Sequence, residues 1–274
     1  MRALTLLVLA GCSDYVLKGA GDPPAPPDTA ALPVEEDSGP QPDTADSAGG
    51  FDTANLEPGI ARAPIYLNEG GTLFAWNPAV EGDPERIGNF VGDATVSNMT
   101  DIAVDMEGRL FGCTRDALWE VNAQSGRVRR VATLDAALNL TGLTFVSDGR
   151  LVGAGDGLYF LDPATGAATV LVAPGPYETS GDVVGLPDGL LYWAIRGLGS
   201  DRLAVVDPDN GQVAVRGEFF AEKLYGLGFA NDRLYAFGDD ATVRAVDPAD
   251  GTGEVVGTLG TRGWYGATTN PVRW

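Results

Sequence analysis

Apolar segments and polar turns alternate along the chain with a repeat of about 40 residues. Four apolar segments run into a polar turn that closes on glycine: WEVNAQSG (119–126), YFLDPATG (159–166), AVVDPDNG (204–211) and RAVDPADG (244–251). Their turn glycines are spaced by 40, 45 and 40 residues. A second marker keeps the same period, in the segments NMTDIAV (98–104), NLTGLTF (139–145), TSGDVVG (179–185), KLYGLGF (223–229) and GWYGATT (263–269). Two independent markers with one period indicate a repeat protein.

Each repeat holds four strand-sized segments. In the third repeat these are TGLTFV, RLVGAG, LYFLDP and AATVLVA, and the turns SDG and ATG close the first and last pairs. Turns of the Asp-Gly kind supply the positive φ angles that tight hairpins need. Four antiparallel strands in every 40–45 residues, with no helical period between them, are what a β-propeller requires. The sequence therefore predicts an all-β fold of four-stranded antiparallel blades.

The number of repeats predicts five blades and a way to close the ring. The first repeat has three outer strands, IYLNEG, TLFAWNP and ERIGNFVG, but IARA (60–63) does not match the inner-strand pattern. We therefore expect residues 264–270 to complete the first blade, since an open ring would expose two sheet edges. The predicted five-bladed β-propeller covers residues 62–274, and its closed ring is expected to be monomeric.

The D-P-x-x-G turns resemble those of quinoprotein-like and YVTN-type β-propellers, whose outer blade strands often end in this way. The resemblance covers residues 64–274 and concerns the fold. No Asp, Asn and metal-ligand set that matches a quinone site is recognisable in the sequence, so the resemblance implies no quinone cofactor.

The chain begins with a short targeting segment. MRALTLLVLAGCS has a positive charge at Arg2 and an apolar run much shorter than the roughly 20 residues that span a bilayer. Residues 1–11 are typical of a secretory signal. Leu9-Ala10-Gly11-Cys12 resembles the bacterial lipobox, which implies that Cys12 becomes a lipid-modified N-terminus. The alternative is a plain signal peptide with an incidental cysteine.

Residues 12–61 are predicted to form a disordered acidic linker between the lipid and the propeller. Residues 13–61 are rich in Pro, Asp and Thr, with ten acidic side chains and one Lys. Such a segment buries too little apolar surface to offset chain entropy. By resemblance to enteric lipoproteins, Ser13 after the cysteine implies the outer membrane of a bacterial envelope.

Composition argues against several functions. The chain has 38 acidic and 18 basic side chains, a net charge of −20, which argues against nucleic-acid binding. The sequence contains no histidine, so Ser-His-Asp and Cys-His catalysis are excluded. Apart from Cys12, the remaining cysteine is Cys113 in the strand-like segment RLFGCT, where we expect a small buried hydrophobe.

Candidate binding residues lie where loops lead into the inner strands, at the mouth of the predicted channel: Thr100, Asp101, Thr141, Asp182, Tyr225 and Tyr265. Small and acidic residues there fit a crowded axis. The alternative is that Asp101 and Asp182 face each other across the channel and hold a hard cation such as calcium. The aromatic residues Tyr225, Trp264 and Tyr265 either pack between blades or form a platform for a sugar ring.

Three functions are compatible with these features. The first is a non-catalytic, membrane-anchored lipoprotein whose propeller recognises or scaffolds an envelope protein. The second is carbohydrate binding, by analogy with five-bladed lectin propellers. The third is a glycosidase with Asp101 and Asp182 as paired carboxylates. The long catalytic loops of such enzymes are missing, so we expect that the protein is not an enzyme. A partner is expected at the insertion AIRGLGSDR (194–202), and no cofactor other than structural calcium is expected.

Overall fold

The computed structural model describes residues 59–219 and 221–273, and these form an all-β fold of five blades. Blade 1 contains β1 (Ile65–Asn68), β2 (Thr72–Trp76), β3 (Glu85–Asn89) and the C-terminal β21 (Gly266–Thr269). Blade 2 contains β5 (Asp101–Val104), β6 (Leu110–Cys113), β7 (Ala117–Val121) and β8 (Arg127–Thr133). Blade 3 contains β9 (Gly142–Phe145), β10 (Leu151–Ala154), β11 (Leu158–Leu161) and β12 (Ala168–Val172). Blade 4 contains β13 (Thr179–Gly185), β14 (Leu191–Ile195), β15 (Arg202–Val206) and β16 (Val213–Glu218). Blade 5 contains β17 (Leu224–Ala230), β18 (Arg233–Gly238), β19 (Thr242–Val246) and β20 (Gly253–Thr258). The predicted five-bladed propeller is confirmed.

The ring closes as the repeat pattern predicts. Strand β21 pairs antiparallel with β1, so that Ile65 lies opposite Thr269 and Asn68 lies opposite Gly266. The first blade is thus built from both ends of the propeller sequence. The five inner strands are β5, β9, β13, β17 and β21, and each packs against the next around the axis.

The end of the first blade differs from the prediction. The segment ERIGNFVG was expected to form one outer strand, but β3 ends at Asn89. Phe90 is fully buried, and β4 (Val91–Gly92) pairs parallel with β8 of blade 2. Burying the Phe90 ring in the core between blades 1 and 2 turns the chain away from its own blade.

The hydrophobic core is divided into five clusters, one between each pair of neighbouring blades. Each central strand is therefore covered on both faces, which explains why the strands have continuous apolar runs rather than strict alternation. Cys113 is fully buried in the cluster between blades 2 and 3, as predicted, and burial raises the pKa of its thiol to about 11.

The predicted turns form as expected. The glycines of the four repeated turns adopt φ angles from +70° to +77°. At Gly166 a side chain would also lie 2.1 Å from the carbonyl oxygen of Thr133 in the neighbouring blade. These turns therefore need glycine both for backbone conformation and for close packing between blades.

The two faces of the propeller carry different connections. The turns after the first and third strands of the blades lie on one face, here called the turn face. The described chain also begins and ends there, since the Ala61 N–H donates to the Gly108 carbonyl (2.7 Å) and the Asn270 amide donates to the Asp105 carbonyl (2.9 Å). Residues 60 and 61, expected in the linker, are thus held against the propeller. The loops that lead into the inner strands lie on the opposite face, here called the mouth face.

The predicted signal (1–11), the lipidated Cys12 and the linker up to residue 58 lie outside the described residues. Within residues 59–219 and 221–273, no helix is long and apolar enough to cross a bilayer.

Candidate functional site

Polar side chains near the axis connect the inner strands of neighbouring blades. An inner strand is the edge of its sheet, so part of its backbone lacks a ladder partner. Asp101 accepts a hydrogen bond from the Leu143 N–H (2.5 Å), and Asp182 accepts one from the Leu227 N–H (2.5 Å). Further around the ring, Thr144 accepts from the Gly185 N–H (2.9 Å) and Thr268 accepts from the Val104 N–H (3.1 Å). These bonds join four of the five pairs of adjacent inner strands, and the Thr269 hydroxyl, which donates to the Phe229 carbonyl (2.7 Å), joins the fifth.

Asp101 and Asp182 lie close enough beneath the mouth for their carboxyl groups to influence each other's pKa. Both side chains are completely buried. Burial raises the pKa of Asp101 well above its usual value, and repulsion from Asp182 raises that pKa further. Burial also raises the pKa of Asp182, while the hydrogen bond from Asp101 opposes that rise. From these directions we infer that the pair holds a proton more firmly than isolated aspartates do, and we assign it to Asp101, whose pKa the Asp182 carboxylate raises further.

The calcium ion expected between Asp101 and Asp182 stays a prediction. Both oxygens of Asp182 accept backbone N–H groups, from Val183 and from Leu227. No group of three or more His, Cys, Asp or Glu side chains in the described residues is placed to hold a metal.

Gly266 makes room for this buried pair. A side chain on Gly266 would lie 2.1 Å from the Asp101 Oδ1 and 2.6 Å from the Asn68 Oδ1. Neither of these buried oxygens has a hydrogen-bond partner among the described residues.

Above the buried pair, the mouth face contains a cleft of about 380 Å³, here called the mouth pocket. Four predicted residues line it together: Thr100, Thr141, Tyr225 and Tyr265. The remaining predicted residues, Asp101 and Asp182, do not contribute to its lining. The structure therefore separates the predicted set into a buried layer and an accessible layer.

All five blades contribute to the mouth pocket. The residues that sequence reasoning missed are Arg115, Asn139, Gly155, Asp156, Glu178, Thr179, Ser180, Gly181 and Arg196. Several of them follow the second strand of a blade, and that loop has no repeated motif to mark it. Arg115 and Arg196 are exposed, and neither forms an ion pair among the described residues.

The aromatic candidates divide between packing and exposure. Trp264 is buried and meets the Phe74 ring edge-on at 5.2 Å between ring centroids, so it packs between blades. Its neighbour Tyr265 is 54% exposed at the mouth pocket. Tyr225 is partly exposed on another wall of the pocket.

The insertion in blade 4 lies beside the mouth pocket. Arg196 lines both this pocket and a neighbouring cleft of about 300 Å³, which also includes Gly197 and Asp201. Leu198, two residues further along the loop, is fully exposed. The loop is held at its base, where Asp201 accepts hydrogen bonds from Ser180 (2.5 Å) and from the Leu224 N–H (3.1 Å).

A larger groove of about 610 Å³ lies away from the axis, beside blade 1. Its aromatic lining, Tyr66 and Trp76, is mostly buried in the cores on either side of that blade. The mouth pocket is the better candidate site, because loops and strand ends of every blade converge there.

Comparison with known proteins agrees with the fold. No protein-family model and no curated protein matches the chain. A structure from work on the de novo evolutionary emergence of a symmetrical protein is 19% identical, covers 77% of this chain and 99% of its own, and has a TM-score of 0.52. A structure of the nidogen/laminin complex is 17% identical, covers 79% of this chain and 84% of its own, and has a TM-score of 0.53. At these identities the likeness is one of fold.

Proposed function

We propose that this chain is a membrane-anchored bacterial lipoprotein whose propeller is a non-catalytic module that recognises a protein through the mouth face. The observation that carries the proposal is the fully exposed Leu198 beside a cleft that all five blades line. An isolated exposed leucine is ordinary on a protein surface. Here it lies two residues from Arg196, which lines the same cleft as Arg115 and the half-exposed Tyr265, and aromatic and arginine side chains dominate binding energy at protein interfaces.

The first and last described residues lie on the turn face, which supports an anchor on the side opposite the mouth face. A lipid on Cys12, joined through the linker to that face, would leave the mouth face accessible to a partner. The lipobox and the outer-membrane location belong to this proposal.

The chemistry of the described residues supports a binding role rather than catalysis. The glycosidase alternative requires Asp101 and Asp182 to reach a substrate, and both are completely buried. The Cys113 thiol is also buried, and its pKa of about 11 keeps it protonated at neutral pH. One structure of similar fold belongs to the nidogen/laminin complex, and its likeness to this chain concerns fold alone.

The proposal is tested by capturing partners from envelope extract on the full-length tagged protein. Leu198→Asp places a charge at the centre of the proposed surface, and we expect it to remove the captured protein. Val170→Asp is the matched control, since Val170 is 56% exposed on the outermost strand of blade 3. Equal capture by wild type and both variants would contradict the proposal, as would specific loss with Val170→Asp.

A further inference from the structure

We infer that the mouth pocket binds a saccharide, in the form of a neutral pyranose with vicinal hydroxyl groups. This inference goes beyond protein recognition and rests on the floor and walls of the pocket rather than on Leu198, although Tyr265 and Arg115 belong to both proposed surfaces. It is argued from three features: the direction of the floor hydroxyls, the charge of the lining and the aromatic walls.

The floor of the pocket presents hydrogen-bond acceptors. The Thr100 hydroxyl donates to the Cys113 carbonyl (3.0 Å), the Thr141 hydroxyl donates to the Gly181 carbonyl (3.2 Å), and Ser180 donates to Asp201 (2.5 Å). Each hydroxyl carries one proton and two lone pairs. With their protons directed into the protein, these three oxygens are left to accept hydrogen bonds from a ligand. The O–H groups of a sugar are suitable donors.

The charged groups of the lining favour a ligand without net charge. Arg115 and Arg196 bring two positive charges, and Asp156 and Glu178 bring two negative charges. A guanidinium donates and a carboxylate accepts, so the set can bond both the oxygen and the proton of neighbouring hydroxyl groups. A charged ligand would leave one pair of side chains uncompensated.

The walls of the pocket include two aromatic rings. Tyr265 is 54% exposed, and Tyr225 is partly exposed on another wall. A pyranose has apolar C–H faces that stack on such rings, while its hydroxyls point to the polar rim. The volume of about 380 Å³ lies at the lower end of the range of small-molecule sites, which suits one or two sugar rings.

The experiment measures binding of methyl pyranosides of glucose, galactose, mannose and N-acetylglucosamine to the full-length protein by ligand-observed NMR. Glucuronic acid and glucosamine serve as charged probes of the same size. We expect binding of at least one neutral pyranoside, with both charged probes weaker. Failure of all four neutral pyranosides would overturn the inference, as would stronger binding of either charged probe.

Variants of the lining residues test whether the sugar binds in the mouth pocket. Tyr265→Ala and Thr141→Val are each expected to weaken binding about tenfold, since each removes one stacking or hydrogen-bonding partner. Thr141→Ser retains the hydroxyl and is expected to restore binding. Arg115→Ala should weaken binding, whereas Arg233→Ala, outside the pocket, should not. Binding that is unaffected by Tyr265→Ala and Arg115→Ala would exclude this pocket.

One variant, measured in both the capture and the NMR experiments, separates this inference from the proposed protein recognition. Leu198→Asp is expected to abolish protein capture and leave the affinity for the pyranoside unchanged. A pyranoside that binds wild type but not Leu198→Asp would contradict the placement of the sugar on the floor and walls.

Discussion

At the residue scale, the main finding is that the axis of the propeller is held by polar side chains that bond from one blade to the next. The positions of Asp101 and Asp182 were predictable from the repeat period. Their direct contact was not, because it depends on how far the inner strands converge. A carboxyl pair with a shared proton is a property of two buried groups brought together, and neither sequence segment shows it alone.

Substitution by asparagine distinguishes the roles of the two aspartates. In Asp101→Asn the amide N–H replaces the donor of the neutral acid, so we expect the free energy of unfolding to change by less than about 1 kcal/mol. In Asp182→Asn one of the two oxygens that accept the Val183 and Leu227 N–H groups becomes an amide nitrogen. Leaving a buried N–H without an acceptor is expected to cost about 1–3 kcal/mol. Denaturant unfolding measures both, and equal destabilisation would contradict the assignment of the proton to Asp101.

The buried pair also predicts how stability depends on pH. The folded-state pKa of Asp182 is raised to about 7 from 3.8 in the unfolded chain, and burial raises the pKa of Asp101 as well. Between these pH values the folded protein binds more protons than the unfolded chain, so its stability falls as pH rises from about 4 to above 7. We expect a decrease on the order of a few kcal/mol in the free energy of unfolding. Asp101→Asn, measured in the same series, should flatten this dependence.

Burial also raises the pKa of Asp105 and of Asp201, so these two groups change stability in the same direction as the pair. The exposed turn aspartates Asp162 and Asp250 have pKa values lowered by backbone N–H groups. They therefore lose their contribution to stability only in acid, below the pH range of the buried pair. Wild-type stability that rises between pH 5 and 8 would contradict the shared proton.

At the element scale, the strands and turns follow the sequence pattern closely. The repeated D-P-x-x-G turns and the four apolar segments of each repeat appear where predicted, because each hairpin depends on residues close together in sequence. Two pairings depend on partners distant in sequence, and only the first of them departs from the prediction. Val91–Gly92 joins the sheet of the next blade, and β21 enters the first blade from the far end of the chain. The sequence indicated the pairing of β21, because the first repeat lacks an inner strand of its own.

Replacing Gly266 tests how β21 closes the ring. In Gly266→Ala the new methyl group would lie 2.1 Å from the Asp101 Oδ1. We expect a loss of about 1–3 kcal/mol in the free energy of unfolding, as for overpacking elsewhere in protein cores. Gly257→Ala is the matched control, since a side chain there meets no atom within 4 Å. Equal stability of the two variants in denaturant unfolding would show that β21 does not pack against the buried pair.

At the scale of the whole molecule, the sequence predicted the architecture better than the site. A constant period determines the number of blades and the direction of the ring, and thus which residues approach the mouth. It does not show which of them stay accessible. Arg115 and Arg196 follow second strands without a recurrent motif. The sequence also does not show that Leu198 is fully exposed.

The proposed anchor predicts the behaviour of the whole protein in cells. Cys12→Ser removes the thiol that the lipobox would modify, and we expect the variant to move from the membrane to the soluble fraction. Mass spectrometry of the wild-type N-terminal peptide should show acyl chains on Cys12. Cys113→Ser is the control, because that thiol is buried in the propeller. Membrane association of Cys12→Ser equal to wild type would contradict lipidation.

The central claim is that the mouth face is the surface that this protein uses for recognition. Hydroxyl-radical footprinting of the intact protein in its native envelope, compared with the purified protein, measures this directly. The account predicts protection of Leu198 and Tyr265 on the mouth face, with unchanged reactivity of Val170 on an outer strand and Val272 near the turn face, which are also exposed. Protection of Val170 or Val272 with Leu198 and Tyr265 still reactive would contradict it.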